Sequence, residues 1–407
     1  MANLAIIGSH SVNGVARLHT EILKKDVLAP FYELYPHRFN NKTNGITHRR
    51  WIQLANPRLS DLLDETIGEK WRVSPSEMMV FKGKAKDKKV QKAIREVKRA
   101  NKQIFANYVK EAYDIEISPD AIFDVQIKRL HAYKRQHLNM LHILHRYLEI
   151  KHNPDVNYEP RVFIFGAKAA PSYTYAKEII KTINELARVV NNDPDIGDKM
   201  KIVFVENYGV SLAEMIIPAA DVGEQISLAG KEASGTSNMK LMSNGALTIA
   251  TLDGANVEIN SLIGDEHMFL FGMTADEVEK VRPDYHPEAL YHEDKMIKRV
   301  MDALVDGKTL PHAQEEAREI FNSLVYYGDE YFVLKDFRSY VEAQEKIDEI
   351  YRNPSQWAEW AIINIAMSAA FSADFTIKQY CEEIWHLHSQ AEPGKGVQLV
   401  DREQLLK

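Results

Sequence analysis

Short apolar runs alternate with segments of helical periodicity through most of the chain. In the middle region each run has about five residues, the usual length of a buried strand, and an amphipathic segment follows it. The pattern predicts strands at 122–127, 161–165, 201–205, 225–228 and 246–252, and helices at 134–150, 172–190, 211–217 and 237–242. Strands that alternate with helices are typical of an α/β fold with a doubly wound, mostly parallel sheet. In such sheets, ligands bind at the carboxyl ends of the strands.

The regions on either side of this repeat have a different pattern. Before it, we predict one strand and three helices, at 3–9, 12–24, 58–68 and 86–113. After residue 276 the sequence is mostly helical, and the final helices are predicted at 340–352, 355–371 and 375–388. The polar stretch 391–407 is expected to be a loosely attached tail.

The opening of the chain is too small to form a domain by itself. One strand and one helix cannot make a core, and an apolar strand needs neighbouring strands. We therefore expect the sequence to begin partway through a protein, with residues 1–43 left over from a preceding domain and residues 44–390 forming the next one.

Composition and charge argue against a nucleic-acid-binding, membrane or disulfide-bonded protein. With 407 residues and 45% hydrophobic content, the chain is expected to fold into more than one structural unit. A formal net charge of -7 gives it no global attraction to nucleic acid or to anionic membranes. The single cysteine, Cys381, excludes an internal disulfide and suits a cytoplasmic location. The apolar start lacks a signal-peptide charge pattern, and the longest apolar stretch, 360–371, is too short to span a bilayer.

A basic segment, 128–135, lies where a predicted strand ends and a helix begins. It holds the four cations Lys128, Arg129, Lys134 and Arg135 within eight residues. Their mutual repulsion would be relieved by an anion such as phosphate, and a helix N-terminus adds main-chain donors. A solvated basic face is the alternative.

A second loop, 232–240, also lies between a predicted strand and a predicted helix. Its composition favours close approach of a ligand to the backbone. Gly235 permits that approach, while Ser237 or Asn238 is predicted to cap the next helix. Lys240 stands just inside this helix, where it could form an imine with an aldehyde cofactor whose phosphate the loop holds. The alternatives are an ordinary capped loop and a merely solvated lysine.

Metal chemistry and serine hydrolysis have little support. His142 and His145 share a helical face, but that helix also carries an apolar stripe. The sequence contains no HExxH motif, no cysteine cluster and no GxSxG elbow. We predict no metal site.

Together, these segments resemble the glycogen/maltodextrin (α-glucan) phosphorylase family, in order and over nearly the whole chain. The resembling stretches are 8–16, 41–47, 128–136, 219–221, 232–240, 244–248, 253–257, 353–354 and 371–374. The resemblance implies a GT-B fold, in which two Rossmann-like domains face each other across a cleft. This chain would supply the C-terminal domain with its final helices, and 1–43 would be a remnant of the N-terminal domain.

The resemblance also implies a reaction and a cofactor. The reaction is glucosyl transfer from an α-1,4-glucan to inorganic phosphate, which gives α-glucose 1-phosphate. Lys240 would carry pyridoxal phosphate (PLP) as a Schiff base. The cofactor phosphate would donate a proton to the substrate phosphate and accept it back, because a phosphate group has a second pKa of about 6.

Matching positions imply a role for each site residue. Arg129 and Lys134 would hold the substrate phosphate, and the cofactor phosphate would be surrounded by Lys128, Lys134, Thr236 and Ser237. The glucosyl hydroxyls would be bound by Asn44, Glu232, Ser234 and Gly235. Two tyrosines would shape the cofactor pocket, Tyr133 and Tyr208.

Several features depart from the family pattern. Four positions differ from the usual residue, namely His48, Ala167, Gly209 and Ser237. A glycine-rich loop and a substrate-contacting histidine belong to the other half of the family's proteins, so we expect little activity from this chain alone. The exposed interdomain face is expected to drive self-association. The alternatives are a non-catalytic remnant that binds PLP or glucan, a nucleotide-sugar transferase and a PLP aminotransferase.

Overall fold

Eight strands form two parallel sheets in residues 1–388, the part of the chain that the computed structural model describes. In chain order the strands are β1 (Val12–Gly14), β2 (Phe39–Asn41), β3 (Ile122–Ile127), β4 (Arg161–Gly166), β5 (Met200–Val205), β6 (Val222–Gln225), β7 (Leu247–Ala250) and β8 (Phe269–Leu270). Strands β1 and β2 pair with each other, and the other six form one sheet in the order β5-β4-β3-β6-β7-β8. All neighbouring pairs of that sheet are parallel.

Seventeen α-helices accompany these strands within the described residues. They are α1 (Ala2–Gly8), α2 (Arg17–Ile22), α3 (Ala29–Leu34), α4 (Pro57–Ile67), α5 (Lys88–Tyr113), α6 (Gln136–His152), α7 (Thr174–Asn192), α8 (Val210–Ala219), α9 (Ser237–Ser243), α10 (Asn256–Ile263), α11 (Ala275–Val281), α12 (Pro287–Glu293), α13 (Lys295–Val305), α14 (Gln314–Val325), α15 (Val333–Tyr351), α16 (Pro354–Met367) and α17 (Ala373–Tyr380). Within residues 1–388, no helix combines the length and apolar character that a membrane crossing requires.

Short 3₁₀ and π segments connect some of these elements. The 3₁₀ segments are Pro36–Arg38, Glu69–Arg72, Pro75–Lys84, Ala132–Lys134, Asp265–His267, Arg282–Asp284 and Ser368–Phe371. The π segments are Leu23–Val27, Arg49–Leu54 and Cys381–Trp385.

Hydrophobic residues of the central strands point alternately to two cores, one on each face of the large sheet. In β3, Phe123 and Val125 pack in the core that contains α5, α8, α9 and α16. Ile122 of β3 and Phe163 and Phe165 of β4 pack in the other core, with α6, α7, α13, α14 and α15. Successive side chains of a strand face opposite sides, so a fully apolar strand needs helices on both. The predicted α/β fold with a doubly wound, mostly parallel sheet is confirmed.

Most predicted elements have counterparts within a few residues. Helix α5 agrees closely with its predicted range because both ends carry local signals. The Asp87 side chain accepts the main-chain N–H of Lys89 at 2.9 Å, and the left-handed Asp114 (φ 55°) ends the helix. Strand β8 was not predicted, since its two residues are too few to form a pattern. The predicted tail, 391–407, lies outside the described residues.

The predicted strand at 225–228 is displaced, since β6 ends at Gln225. Its residues pair with β3 on one side and β7 on the other. Beyond that point the chain turns to the loop after β3, where the Leu228 main-chain N–H donates to the Tyr133 carbonyl at 3.0 Å. The apolar residues Ile226 and Leu228 are buried in this loop, which explains why the pattern resembled a strand.

The predicted strand at 3–9 is wrong, because these residues form helix α1. A strand there would need a partner for its main-chain groups, but the nearby two-stranded sheet pairs β1 only with β2. A helix satisfies those groups locally, beginning with the Ala5 N–H bond to the Met1 carbonyl at 3.0 Å. Periodicity alone cannot distinguish a strand from a helix in so short an apolar run.

The predicted helix at 12–24 is correct only in its second part. Residues Val12–Gly14 form β1, and α2 begins at Arg17. Gly14 lies so close to Thr20 of α2 that an added Cβ would be 2.0 Å from the threonine hydroxyl oxygen. The close contact lets α2 pack directly on β1.

Candidate functional site

A cleft of about 650 Å³ opens at the carboxyl ends of the central strands. The loops after β3, β4 and β6 contribute most of its wall, together with Tyr208 from the loop after β5, α9, and Val15 and Asn44 from the N-terminal part of the chain. All of the site residues named from the sequence line it: Asn44, Lys128, Arg129, Tyr133, Lys134, Tyr208, Glu232, Ser234, Gly235, Thr236, Ser237 and Lys240. The position matches the general rule for ligand sites in doubly wound sheets.

Lys128, at the end of β3, is a cation held in a poorly solvated position. Its Nζ donates to Oε1 of Gln225 on β6 at 2.8 Å, and Nε2 of Gln225 donates to the Ser237 hydroxyl at 3.2 Å. Burial lowers the pKa of Lys128 to about 8, and the Glu232 carboxylate partly opposes that effect. An anion bound in the cleft would stabilise the charged form of this lysine.

Lys134 and Glu232 form an ion pair between the loops after β3 and β6. Burial lowers the pKa of Lys134, but the Glu232 carboxylate outweighs burial and the net pKa is raised. Burial likewise raises the pKa of Glu232, but Lys128 and Lys134 outweigh it and the net pKa is lowered. Both groups are therefore charged at neutral pH, so the cleft offers a cation next to a strong hydrogen-bond acceptor.

Arg135 does not point into the cleft, so the prediction of an anion held by four neighbouring cations is wrong for this residue. It adopts the left-handed conformation (φ 56°) immediately before α6, and its side chain is buried. The guanidinium pairs with Asp336 at 2.7 Å and donates to the Ile226 carbonyl at 2.7 Å. Arg129, by contrast, is exposed and lines the cleft.

Lys240 lies over the ring of Trp51, with Nζ 4.3 Å from the ring centre. Trp51 belongs to the π segment Arg49–Leu54, and the sequence analysis assigned it no role. Burial lowers the pKa of Lys240, and the positive charge of Arg50 lowers it further. A lowered pKa increases the fraction of neutral amine, the form that attacks a carbonyl carbon.

The two tyrosines named for the cofactor pocket form apolar parts of the wall. The Tyr208 ring packs on Gly166, where an added Cβ would lie 3.1 Å from the ring, and burial raises the pKa of Tyr208 to about 12. Tyr133 lies between Lys134 and His131, with 4.7 Å from its ring centre to the lysine Nζ. Tyr208 therefore stays neutral and presents an apolar ring to a ligand.

The loop after β6 is braced by the turn that follows β7. Oδ2 of Asp253 accepts the main-chain N–H groups of Lys231 at 3.2 Å and Glu232 at 2.7 Å. Its Oδ1 lies 2.8 Å from Nε2 of His19. Asp253 and His19 were given no role in the sequence analysis, because each acts through residues distant in sequence.

Glycines permit the closest contacts of this brace. Gly254 has φ 52°, and an added Cβ would lie 2.7 Å from the carbonyl oxygens of Glu232 and Ser234. The next residue, Ala255, donates its N–H to the Ser234 carbonyl at 2.9 Å. Gly235 also has a positive φ of 73°, a conformation that favours glycine.

The predicted capping of α9 by Ser237 or Asn238 is wrong, because the N-cap residue is Thr236. The Asn238 side chain instead donates to Oδ1 of Asn256 at 2.9 Å. Asn44, which also lines the cleft, is fixed by its main-chain N–H bond to the Val15 carbonyl at 3.0 Å.

Among residues 1–388, no three His, Cys, Asp or Glu side chains lie close enough together to bind a metal ion. His142 and His145 are buried, and burial lowers the pKa of both. Their rings pack against Tyr340 and Phe337, with ring centres 5.4 Å and 6.2 Å apart. These histidines belong to the hydrophobic core.

Comparison with known proteins gives the family. The family model described as Carbohydrate phosphorylase matches residues 1–387. The chain belongs to the carbohydrate phosphorylase family. Glycogen phosphorylase of Bacillus subtilis is 49% identical over 387 residues, that of Synechocystis sp. is 48% identical over 387 residues, and the muscle form of Bos taurus is 46% identical over 386 residues. Each alignment covers 95% of this chain but only 48%, 45% and 46% of the respective relative, so the chain spans about half the length of these curated relatives.

In this member of the family, the four positions that depart from the family pattern have the following surroundings. His48 is buried, with Nε2 2.9 Å from the Arg72 carbonyl oxygen, and Ala167 is buried in the core. Gly209 has extended backbone (φ -159°) just before α8, and Ser237 bonds to Gln225. The cleft retains its lysines and Arg129 in spite of these differences.

Proposed function

We propose that this chain supplies the PLP-bearing and phosphate-binding part of an α-glucan phosphorylase, which transfers glucosyl units from α-1,4-glucan to inorganic phosphate. The observation that carries the proposal is that Lys128, Arg129, Lys134 and Lys240 line one cleft together with the hydroxyl-rich loop 232–237. A reaction between a sugar and phosphate requires both a cation cluster and hydrogen-bonding groups at the same place.

The residues of the cleft suit PLP. Lys240, which lies over the ring of Trp51, has a lowered pKa and would form the covalent link, while Tyr133 and Tyr208 would flank a flat ring. The cofactor phosphate would lie among Lys128, Lys134, Thr236 and Ser237. When bound, PLP supplies a phosphate that exchanges a proton with the substrate phosphate.

Substrate recognition is assigned to the remaining groups. Arg129 is exposed in the cleft and would bind the substrate phosphate through two guanidinium N–H groups, together with Lys134. Glu232, with its lowered pKa, would accept hydrogen bonds from glucosyl hydroxyls, beside Asn44, Ser234 and Gly235. The cations would offset the repulsion between the two phosphates.

We further propose that residues 1–43 belong with the N-terminal GT-B domain and residues 44–390 form the C-terminal domain. Since the chain spans about half of its relatives, the isolated chain would have little or no activity. A cytoplasmic location would suit its one cysteine. Apolar side chains exposed in the N-terminal segment, Leu4, Ile7, Val27 and Leu34, would promote self-association of the isolated chain.

The test is the release of glucose 1-phosphate from maltodextrin and phosphate in the presence of PLP. The chain would be assayed alone and after mixing with the unmatched half of Bacillus subtilis glycogen phosphorylase, with Lys240→Ala as the control. Turnover that needs both parts and is lost in the variant supports the proposal. PLP uptake without turnover in the mixture favours the alternative, a non-catalytic PLP- or glucan-binding remnant.

A further inference from the structure

A second cavity, of about 300 Å³, lies between α5 and the start of α16. It shares no lining residue with the cleft that contains Lys240. Its volume is at the lower end of the range for small-molecule sites, roughly 300–1,000 Å³. It is therefore a separate space that only a small ligand could fill.

More cations than carboxylates line this cavity. Lys102 pairs with Asp221 at 2.6 Å, and Arg99 pairs with Asp120 at 2.8 Å. Two further cations, Arg95 and Lys98, also line it. Within residues 1–388, neither has a carboxylate at ion-pair distance. The cavity therefore has an excess of positive charge.

The two additional cations have only neutral partners. Nζ of Lys98 donates to the main-chain carbonyls of Pro218 and Asn244, both at 3.0 Å, and to that of Ala220. Nε of Arg95 donates to the Gln91 carbonyl at 3.4 Å, which leaves the outer N–H groups of its guanidinium available. Burial lowers the pKa of Lys98 to about 8, as expected for an ammonium without a directly bound anion.

The rest of the lining is apolar and partly aromatic. The Trp357 and Tyr351 rings meet edge to face with their centres 4.9 Å apart. Ile94, Ala358 and Ala361 add small or branched apolar surfaces. A flat apolar ligand would cover these surfaces, while its charged end would reach the arginine at the rim.

We propose that this cavity is a binding site for a small aromatic carboxylate. The aromatic body would lie against Trp357 and Tyr351, and the carboxylate would accept hydrogen bonds from Arg95. The site is independent of the proposed phosphorylase function, because it rests on residues outside the cleft. A volume of about 300 Å³ suits a ligand with one or two fused rings.

Isothermal titration calorimetry with 2-naphthoate tests the proposal, and the neutral 2-naphthamide serves as the matched ligand. The acid should bind about 10-fold more tightly than the amide, because a charge-assisted hydrogen bond is worth roughly one factor of ten. Arg95→Gln should remove most of that difference. The matched control Arg318→Gln, which neutralises an exposed arginine away from the cavity, should leave it unchanged.

A third variant, Arg129→Gln, shows whether 2-naphthoate binds in this cavity or in the larger cleft. If 2-naphthoate occupied the larger cleft instead, this variant would weaken binding and Arg95→Gln would not. Equal affinity for the acid and the amide, no binding of either, or an acid affinity that Arg95→Gln leaves intact would each overturn the proposal.

Discussion

His19 and Asp253 are joined by a contact of 2.8 Å between Nε2 of the histidine and Oδ1 of the carboxylate. The other carboxylate oxygen accepts the main-chain N–H groups of Lys231 and Glu232. Asp253 is buried, and His19 belongs to α2 in the N-terminal segment. A single carboxylate therefore fixes the backbone of the loop that carries Glu232 and connects it to residues far away in sequence.

Replacing Asp253 should loosen this loop. Asp253→Asn can keep an oxygen for the two main-chain donors but removes the negative charge that strengthens both bonds and places an NH2 group toward His19, at a cost of about 1.5–3 kcal/mol in the free energy of unfolding. His19→Ala removes one contact but leaves the two main-chain bonds, so its effect should be about 1 kcal/mol. Urea denaturation of both variants measures these changes, and an equal loss in the two would contradict the ordering.

Gly254 should not tolerate a side chain. Its φ of 52° and the two carbonyl oxygens at 2.7 Å from a Cβ predict that Gly254→Ala destabilises the chain by at least about 2 kcal/mol. Gly83→Ala is the matched control, because an added Cβ there meets nothing within 4 Å. Thermal denaturation compares the two, and a Gly254→Ala variant as stable as the control would refute the tight contact.

Glu224 should make the stability of the fold depend on pH. Burial and the neighbouring Asp124 carboxylate raise the pKa of Glu224 well above its ordinary value, while Tyr340 and Gln344 donate to its Oε1 at 2.9 Å and 2.8 Å. When a carboxyl has a higher pKa in the folded state than in the unfolded state, the free energy of unfolding falls as the pH rises above the unfolded pKa. The loss is at most about 1.4 kcal/mol per pH unit.

The variant Glu224→Gln keeps an acceptor for both donors and cannot ionise. The melting temperature of Glu224→Gln minus that of the parent chain should increase from about pH 5 to about pH 8. This whole range lies above the pKa of a glutamate in the unfolded chain. Glu315→Gln, an exposed site, controls for the loss of one charge. A constant difference between Glu224→Gln and the parent over this range would mean that Glu224 is ionised in the fold.

Phosphate binding in the cleft should weaken at alkaline pH. Lys128, with a pKa of about 8, loses its charge as the pH rises, whereas the raised pKa of Lys134 keeps that residue charged. We expect the affinity for inorganic phosphate to fall about 5-fold from about pH 7 to about pH 9.5, a loss of roughly 1 kcal/mol. In Lys128→Arg the affinity should change less, since arginine stays protonated. Calorimetry at several pH values distinguishes the two, and identical pH profiles would rule out Lys128 as the titrating group.

The sequence predicted the parts of this molecule that depend on local pattern. Strands β3 and β4 are continuous apolar runs, and α5 is amphipathic with a cap at its start. The same reasoning failed at 3–9, because an apolar run forms a strand only if another strand is there to pair with it. That pairing depends on contacts that the run itself does not specify.

The candidate site shows the same division. The basic and hydroxyl-rich loops were found because each follows a predicted strand. Trp51, His19 and Asp253 were not, since each contacts the site from a distant part of the chain. Arg135 was predicted to help bind an anion together with the other three cations of 128–135. Its ion pair with Asp336 on α15 instead holds the side chain away from the cleft.

Labelling of Lys240 by PLP is the most direct test of the proposed cleft. The chain would be incubated with PLP, reduced with borohydride, digested and analysed by mass spectrometry, with Lys240→Arg treated in parallel. We predict one dominant pyridoxyl adduct on Lys240 and its absence in the variant. An adduct spread over other lysines, or equal labelling of both proteins, would contradict the assignment of the cleft as a PLP site.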